Sequence, residues 1–445
     1  MTHTTLWLSQ VQFFSSLAFM ALFLALELGL AWMLAYFRLR SLSAPTGPWM
    51  AAYRFWVRVF AVAFILAFAA GLPVLIQLGS LWPSLMGKIG DVAGPLLAAG
   101  LTTVFIFKSC FLGAMLFGER QLSDRAHAAV VAMVAVGATA MAFWPLTLLS
   151  WMHTPAGAYM LDEHYRVTAW LSIIFNPSLP WYAGLFAGAS MLAAACLIVG
   201  VVATQTLRRP VEESERLAFR AATRVACVVV VLQVIFAAGA GLVTARHQPA
   251  KAAATAGYWQ SGTQPDLVFF GWPDTAKQEN RAVLRWRNAG GRWLGRDQAG
   301  AQGLDKFSGM APPVALTFFS FRLAVLAGLL TMLAAWLSWL KLRRHAYDPA
   351  SLSKWSRRTL AAMAFMPWIM LLAGAAHILL GAYPYAVNGT ITVSEIAGDT
   401  PAVLLAGGLV AFLGLYVLFV GGFMRIIGHI SRYGVVPVAR RRGRA

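Results

Sequence analysis

Residues 10–36 read QVQFFSSLAFMALFLALELGLAWMLAY, an apolar run with one formally charged side chain, Glu27. As a helix rising 1.5 Å per residue it would reach about 40 Å, more than the roughly 30 Å of bilayer hydrocarbon. It is too long for a signal-peptide apolar core and precedes no convincing small-residue cleavage site, so the expectation is an anchored membrane helix. Comparable runs follow near 55–79, 94–117, 126–150, 180–205, 219–245, 314–339, 360–381 and 402–428, nine in all. The expected fold class is therefore all-α, a polytopic bundle of about nine transmembrane helices. The chain's 59% hydrophobic and 12% charged residues exclude an ordinary soluble domain.

The formal charge of +19 would suggest nucleic acid in a soluble protein. Here the arginines sit in short connections, as topogenic charges do, and no nucleic-acid partner is expected. Arg38, Arg40 and Arg54, then Arg120 and Arg125, then Arg208 to Arg224, then Lys341 to Arg358, and finally Arg432 to Arg444 mark one side. The short connections opposite carry only Lys88 and Arg166. By the positive-inside rule the N-terminus lies outside and the C-terminus in the cytoplasm, the layout of a multi-pass bacterial inner-membrane protein. Three segments follow: 1–245 with six helices, an external segment at 246–313, and 314–445 with three helices and a basic tail. Long loops are largely exempt from the charge rule, which accommodates Arg281, Arg285, Arg287, Arg292 and Arg296 outside. Cys110, Cys196 and Cys227 lie in separate apolar runs at no metal-ligand spacing, so no metal site is expected from them.

The local sequence adds a resemblance. Leu8-Ser9-x-x-Gln12-Phe13, Phe55-Trp56-x-Arg58-x-Phe60, Gly71-Leu72, Gln77, Gly79 and Trp82 open the series. Gly90-Asp91, Lys108-Ser109-x-Phe111-Leu112-Gly113, Phe117-Gly118, Trp151-Met152-x-x-Pro155 and Asn176-Pro177 continue it. Gln248-Pro249-x-Lys251, Phe270-Gly271-Trp272-Pro273-Asp274, Phe319-x-Phe321-Arg322, Pro367-Trp368 and Gly414-Leu415-Tyr416 complete it. In this register nearly the whole chain resembles subunit I of the cytochrome bd quinol oxidases, whose long loop helps to bind quinol.

The resemblance implies hemes, yet their ligands are missing at the matching positions. Met20 stands at the family's first-helix histidine, Leu185 at its fifth-helix histidine, Ala324 at its seventh-helix methionine and Phe423 at its ninth-helix glutamate. Iron needs a lone-pair donor, which leucine, alanine and phenylalanine cannot supply. Met20 reads better as gap-filling core than as a ligand. The family's paired third-helix glutamates fall on Gly100 and Lys108. His377, the deepest histidine, is a weak candidate for a relocated ligand, and His127 matches a family histidine.

Glu27 and Lys108 each lie nine residues from the cytoplasmic end of their runs, roughly 13 Å deep by helical rise. Uncompensated, each charge would cost about 3 kcal/mol or more, so an interhelical ion pair is expected. Lys251, Gln248 and Arg322 are the quinol-binding candidates, although the acid expected five residues after Lys251 has become Ala256. The expected cofactor set is thus open: heme by resemblance but without ligands, and a quinol such as ubiquinol. Three functions remain: a heme-poor subunit I-like member of a quinol-linked respiratory complex, hetero-oligomeric with a bd-type subunit or another redox membrane protein; a working terminal quinol oxidase subunit with relocated ligands; or a transporter or assembly protein on the same scaffold. Membrane lipid is the remaining expected partner.

Overall fold

The computed structural model describes residues 3–262, 265–290 and 301–433. Among these, nine helices are long and apolar enough to cross a membrane. They are His3–Ser41, Pro48–Ser80, Pro83–Val104 with its continuation to Phe117, Asp124–His153, Leu179–Gln205, Glu213–His247, Val314–Leu342, Lys354–Leu380 and Ala402–Tyr433, the first to ninth spans below. Arg292, Arg296 and the basic tail beyond Tyr433 lie outside the described residues.

Most spans overrun their apolar runs by a turn or more. The third differs most, starting at Pro83 rather than near 94. Its first turns carry Gly87, Lys88, Gly90 and Asp91, which mask the helix in an apolar scan. They are held at the bundle's end by ion pairs of Lys88 with Glu163 (2.8 Å) and Arg166 with Asp91 (3.0 Å). This helix is interrupted by a five-residue π turn, Phe105–Ser109, which contains Lys108. The eighth span breaks between Lys354–Met363 and Met366–Leu380, just ahead of Pro367, whose ring cannot continue a regular helix.

The first and fifth spans form the hub. Of their central windows 67% and 78% is buried, against 12%, 17% and 11% in the third, eighth and ninth. A glycine is required where hub backbones meet: a Cβ on Gly29 would lie 2.0 Å from the Ser190 carbonyl oxygen. Tyr416 donates to Ser16 (2.7 Å), tying the ninth span to the first.

Among the described residues the connections add three antiparallel hairpins that the apolar runs do not reveal: β1–β2 (Ala158–Leu161, His164–Val167), β3–β4 (Leu267–Asp274, Glu279–Trp286) and β5–β6 (Tyr385–Val387, Ile391–Thr392). Each follows an even-numbered span, so all sit at one end of the bundle. There Leu81, Trp82, Trp151, Tyr165, Val387 and Ile391 share a second apolar core.

Candidate functional site

A cavity of about 1970 Å³ opens within the bundle and reaches toward the hairpin end. Met20, Leu185 and Ala324 all line it, so three of the four positions matched to family heme ligands face one space. Phe423 lies elsewhere. It is 2% exposed, stacked on Trp368 (5.8 Å between centroids) and edge-on to Phe23 (5.4 Å), so packed rings hold that position.

These side chains do not fit iron. Leu185 and Ala324 present hydrocarbon, and Met20 has no partner donor at those positions. Among the described residues no group of three or more His, Cys, Asp or Glu side chains is arranged to hold a metal ion. Beside Leu185, Gln233 Nε2 donates to the Leu185 carbonyl (3.1 Å), while the buried Gln233 Oε1 has no partner among the described residues.

Among the described residues, the cavity's ionisable nitrogen groups are His153, Lys251 and His377, and no carboxylate lines it. Lys251 lies on a short helix, Pro249–Ala256, that proline opens and Gly257 closes in the left-handed region (φ +68°). That helix turns the lysine inward, where it is 2% exposed. Its Nζ donates to the Ile378 carbonyl at 3.4 Å, and burial pulls the ammonium down to about 7. His153, at the end of the fourth span, brings Nε2 within 3.1 Å of the same carbonyl and Nδ1 within 2.8 Å of the Leu149 carbonyl. Gln248 Nε2 donates to the His153 carbonyl (3.1 Å), which places both it and Lys251 at this end of the cavity. His377 sets Nδ1 against the Thr317 carbonyl (3.3 Å), beside the Phe321 ring.

Arg322 does different work. Its guanidinium donates to the carbonyls of Phe269 (2.9 Å), Thr255 (2.9 Å), Phe318 (2.9 Å) and Val268 (2.6 Å). A guanidinium has five N–H donors, so four are spent on backbone. Arg322 straps the β3 strand and the Lys251 helix to the seventh span.

Glu27 is buried in the first span. The side chain of Lys108 lies outside the described residues, although its backbone is placed in the π turn. His127 is engaged at the arginine-rich end: Nδ1 accepts from Arg38 Nε (2.8 Å), and Nε2 lies 3.2 Å from the Met115 carbonyl. That arrangement suits a neutral ring protonated on Nε2.

His153 is the functional-site residue that sequence reasoning passed over. It sits inside the quoted Trp151-Met152-x-x-Pro155 stretch, but as a lone histidine ending an apolar run it gives little signal. Its meaning comes from a carbonyl 225 positions away.

Comparison with known proteins fits this geometry. The profile of the family described as "Cytochrome bd terminal oxidase subunit I" matches residues 8–435. A Bacillus subtilis (strain 168) relative, "Cytochrome bd ubiquinol oxidase subunit 1", is 27% identical over 432 residues, covering 92% of this chain and 90% of its own. An Escherichia coli (strain K12) relative, "Cytochrome bd-II ubiquinol oxidase subunit 1", is 24% identical over 501 residues, covering 96% of each. A chain from "The structure of bd oxidase from Geobacillus thermodenitrificans" superposes with a TM-score of 0.87 at 21% identity, over 96% of this chain and 98% of that one. Nine apolar helices, the long connection after the sixth and a profile match over almost the full length place this chain in the cytochrome bd terminal oxidase subunit I family.

Proposed function

We propose that the chain is a heme-poor, subunit I-like component of a quinol-linked electron-transfer complex in the bacterial cytoplasmic membrane, oriented with its N-terminus outside. The observation that carries this is the cavity of about 1970 Å³: Lys251 and His153 line it, with Gln248 bonded to the His153 carbonyl, while Met20, Leu185 and Ala324 stand on its wall. A space of that size lined by hydrocarbon, with a few polar groups at one end, suits an amphiphile such as ubiquinol. Arg322, with most of its donors on backbone, is a strap for this site rather than a ligand in it. Electrons would then pass to cofactors of a second membrane subunit, which makes a hetero-oligomer part of the proposal.

The deciding test is heme content per chain after purification in mild detergent. The expected result is substoichiometric heme and no reduced-minus-oxidised bands from this polypeptide alone. Stoichiometric heme on the isolated chain would overturn the proposal. It would favour the second reading, a working oxidase subunit with relocated ligands, in which His377 is the residue to replace first because its Nδ1 contact leaves Nε2 as the lone-pair nitrogen.

Glu27 and Lys108 form, in this reading, an interhelical ion pair where the family would place carboxylate and heme. Burying either charge alone costs about 3 kcal/mol or more. Glu27→Gln and Lys108→Met are therefore each expected to lower the yield of folded protein, and the double variant to recover most of it. A double variant that yields no more folded protein than the single variants would remove the pairing.

A further inference from the structure

At the arginine-rich end of the bundle a smaller cavity, about 480 Å³, opens between the end of the seventh span and the start of the eighth. Lys341, Arg343, Arg344 and His345 line it together with Ser353 and Ser356, and among the described residues no carboxylate does. The stretch 341–358 holds six Lys or Arg residues and one acid, Asp348. That acid is already engaged elsewhere. One of its oxygens accepts from the Ala350 N–H (3.0 Å), and the other faces Arg216 of the sixth span (3.5 Å). No ion pair among the described residues engages Lys341, Arg343 or Arg344.

The fold holds these cations close to one another. Ala346 and Tyr347 take left-handed backbone (φ +52° and +60°), which residues other than glycine keep only where their surroundings impose it. Here Arg220 and Arg224 of the sixth span impose it, with guanidinium carbons 5.2 and 5.1 Å from the centre of the buried Tyr347 ring. The N–H groups of His345 and Tyr347 both donate to the Leu342 carbonyl (2.9 and 3.0 Å), closing the end of the seventh span. Mutual repulsion would spread the cations of a loose loop, but this loop is fixed from behind. Its charges converge on the cavity before anything enters, and an anion there would offset their repulsion.

Beside the cavity the seventh span turns an apolar face outward. Leu333, Trp336, Leu337 and Leu340 are exposed at a spacing that puts them on one face, and Lys341 follows Leu337 by one turn. Leu340 both ends this stripe and lines the cavity. Trp336 in the stripe and the exposed Trp355 at the start of the eighth span mark the level where a bilayer's interface gathers indole rings.

We propose that this cavity binds the phosphate head group of an anionic phospholipid, whose acyl chains lie along the Leu333–Leu340 stripe. The two guanidinium groups match phosphate oxygens in a fork, and Lys341 adds a point charge. Ser353 and Ser356 share one hydrogen bond between their hydroxyls (3.0 Å), which leaves one O–H to donate. Ser353 Oγ already caps the eighth span by accepting from the Ser356 N–H (3.1 Å), so the cations rather than the helix end carry the site. Orienting a membrane protein asks only for charge on this side, without convergence or a cavity. Basic pockets between spans are where phospholipid head groups bind. The site is independent of the quinol reading, since no residue of the larger cavity takes part.

The test is titration of the full-length chain, delipidated in mild detergent, with dioleoyl phosphatidylglycerol, dioleoyl phosphatidylcholine and, separately, glycerol phosphate, with bound molecules counted by native mass spectrometry. The expected result is one phosphatidylglycerol bound in preference to phosphatidylcholine. Lys341→Gln/Arg344→Gln should weaken it about thirtyfold, at about fivefold for each basic side chain near the surface. Arg120→Gln/Arg125→Gln removes two exposed charges from the same end, outside the cavity, and should weaken it less than about twofold. Equal weakening in the two double variants would show a diffuse surface charge and overturn the site, as would equal binding of the two lipids. Glycerol phosphate bound as tightly as phosphatidylglycerol would overturn the lipid and assign the cavity to a soluble phosphate ester. Lys341 and Arg344 are exposed, so the fold should survive their replacement. Should that variant not fold, the wild-type preference between the two lipids decides the proposal.

Discussion

Replacing Arg322 with methionine is expected to free the β3–β4 hairpin from the seventh span and to lower stability by about 3 kcal/mol, since charge-assisted bonds contribute about 1.5–3 kcal/mol each and orphaned carbonyls add desolvation cost. The variant strands the carbonyls of Thr255, Val268 and Phe269 together, while that of Phe318 keeps its place in the helix ladder. Some will be rehydrated at the bundle's end, which is why the expected loss is well below the sum. Arg322→Lys should rescue little, because an ammonium cannot fork across acceptors on three segments. Trypsin reads the outcome directly. Arg281 and Arg285, now paired with Asp274 and Asp266, should be cut faster in the variant. An unchanged tryptic pattern with an unchanged unfolding temperature would show that the strap holds nothing.

The opposite end of the bundle offers the second large effect. Arg38 is 0% exposed and donates to Asp124 (2.7 Å), His127 (2.8 Å) and Ser41 (2.9 Å). The partners are unequal, with side-chain exposures of 1% for Arg38 and 51% for Asp124. Losing Asp124 leaves a cation stranded in the core, whereas losing Arg38 leaves a carboxylate that water can reach. Removing one member of a buried pair costs about 3–5 kcal/mol. Asp124→Leu should sit at the upper end of that range and Arg38→Leu lower, as measured by reversible unfolding in lipid nanodiscs. Equal losses would mean that the burial asymmetry is not what sets the cost.

The spans were legible because a bilayer imposes a length and a polarity that few other environments demand. Their ends were not, and the third span shows why: Lys88 and Asp91 are tolerated only because Glu163 and Arg166 meet them from the β1–β2 hairpin. Lys251 was legible as a candidate through the short motif around it, and it lines the cavity. Arg322 was legible as notable but not as a strap, because its acceptors are carbonyls, which every residue has. His153 depended on the Ile378 backbone, and pairing across that distance leaves no trace in spacing. Phe423 could be read as a lost ligand, but not as the member of a three-ring cluster that fills the position.

The uneven burial of the spans has a consequence for handling the protein. The hub carries its own solvent, in the form of neighbouring helices, while the third, eighth and ninth spans leave most of their apolar windows uncovered by this chain, for lipid or a partner subunit to cover. Harsh delipidation should therefore loosen the periphery before the centre. Loss of structure would begin around the π turn and the broken eighth helix, with Gly29 and Ser190 still locked together.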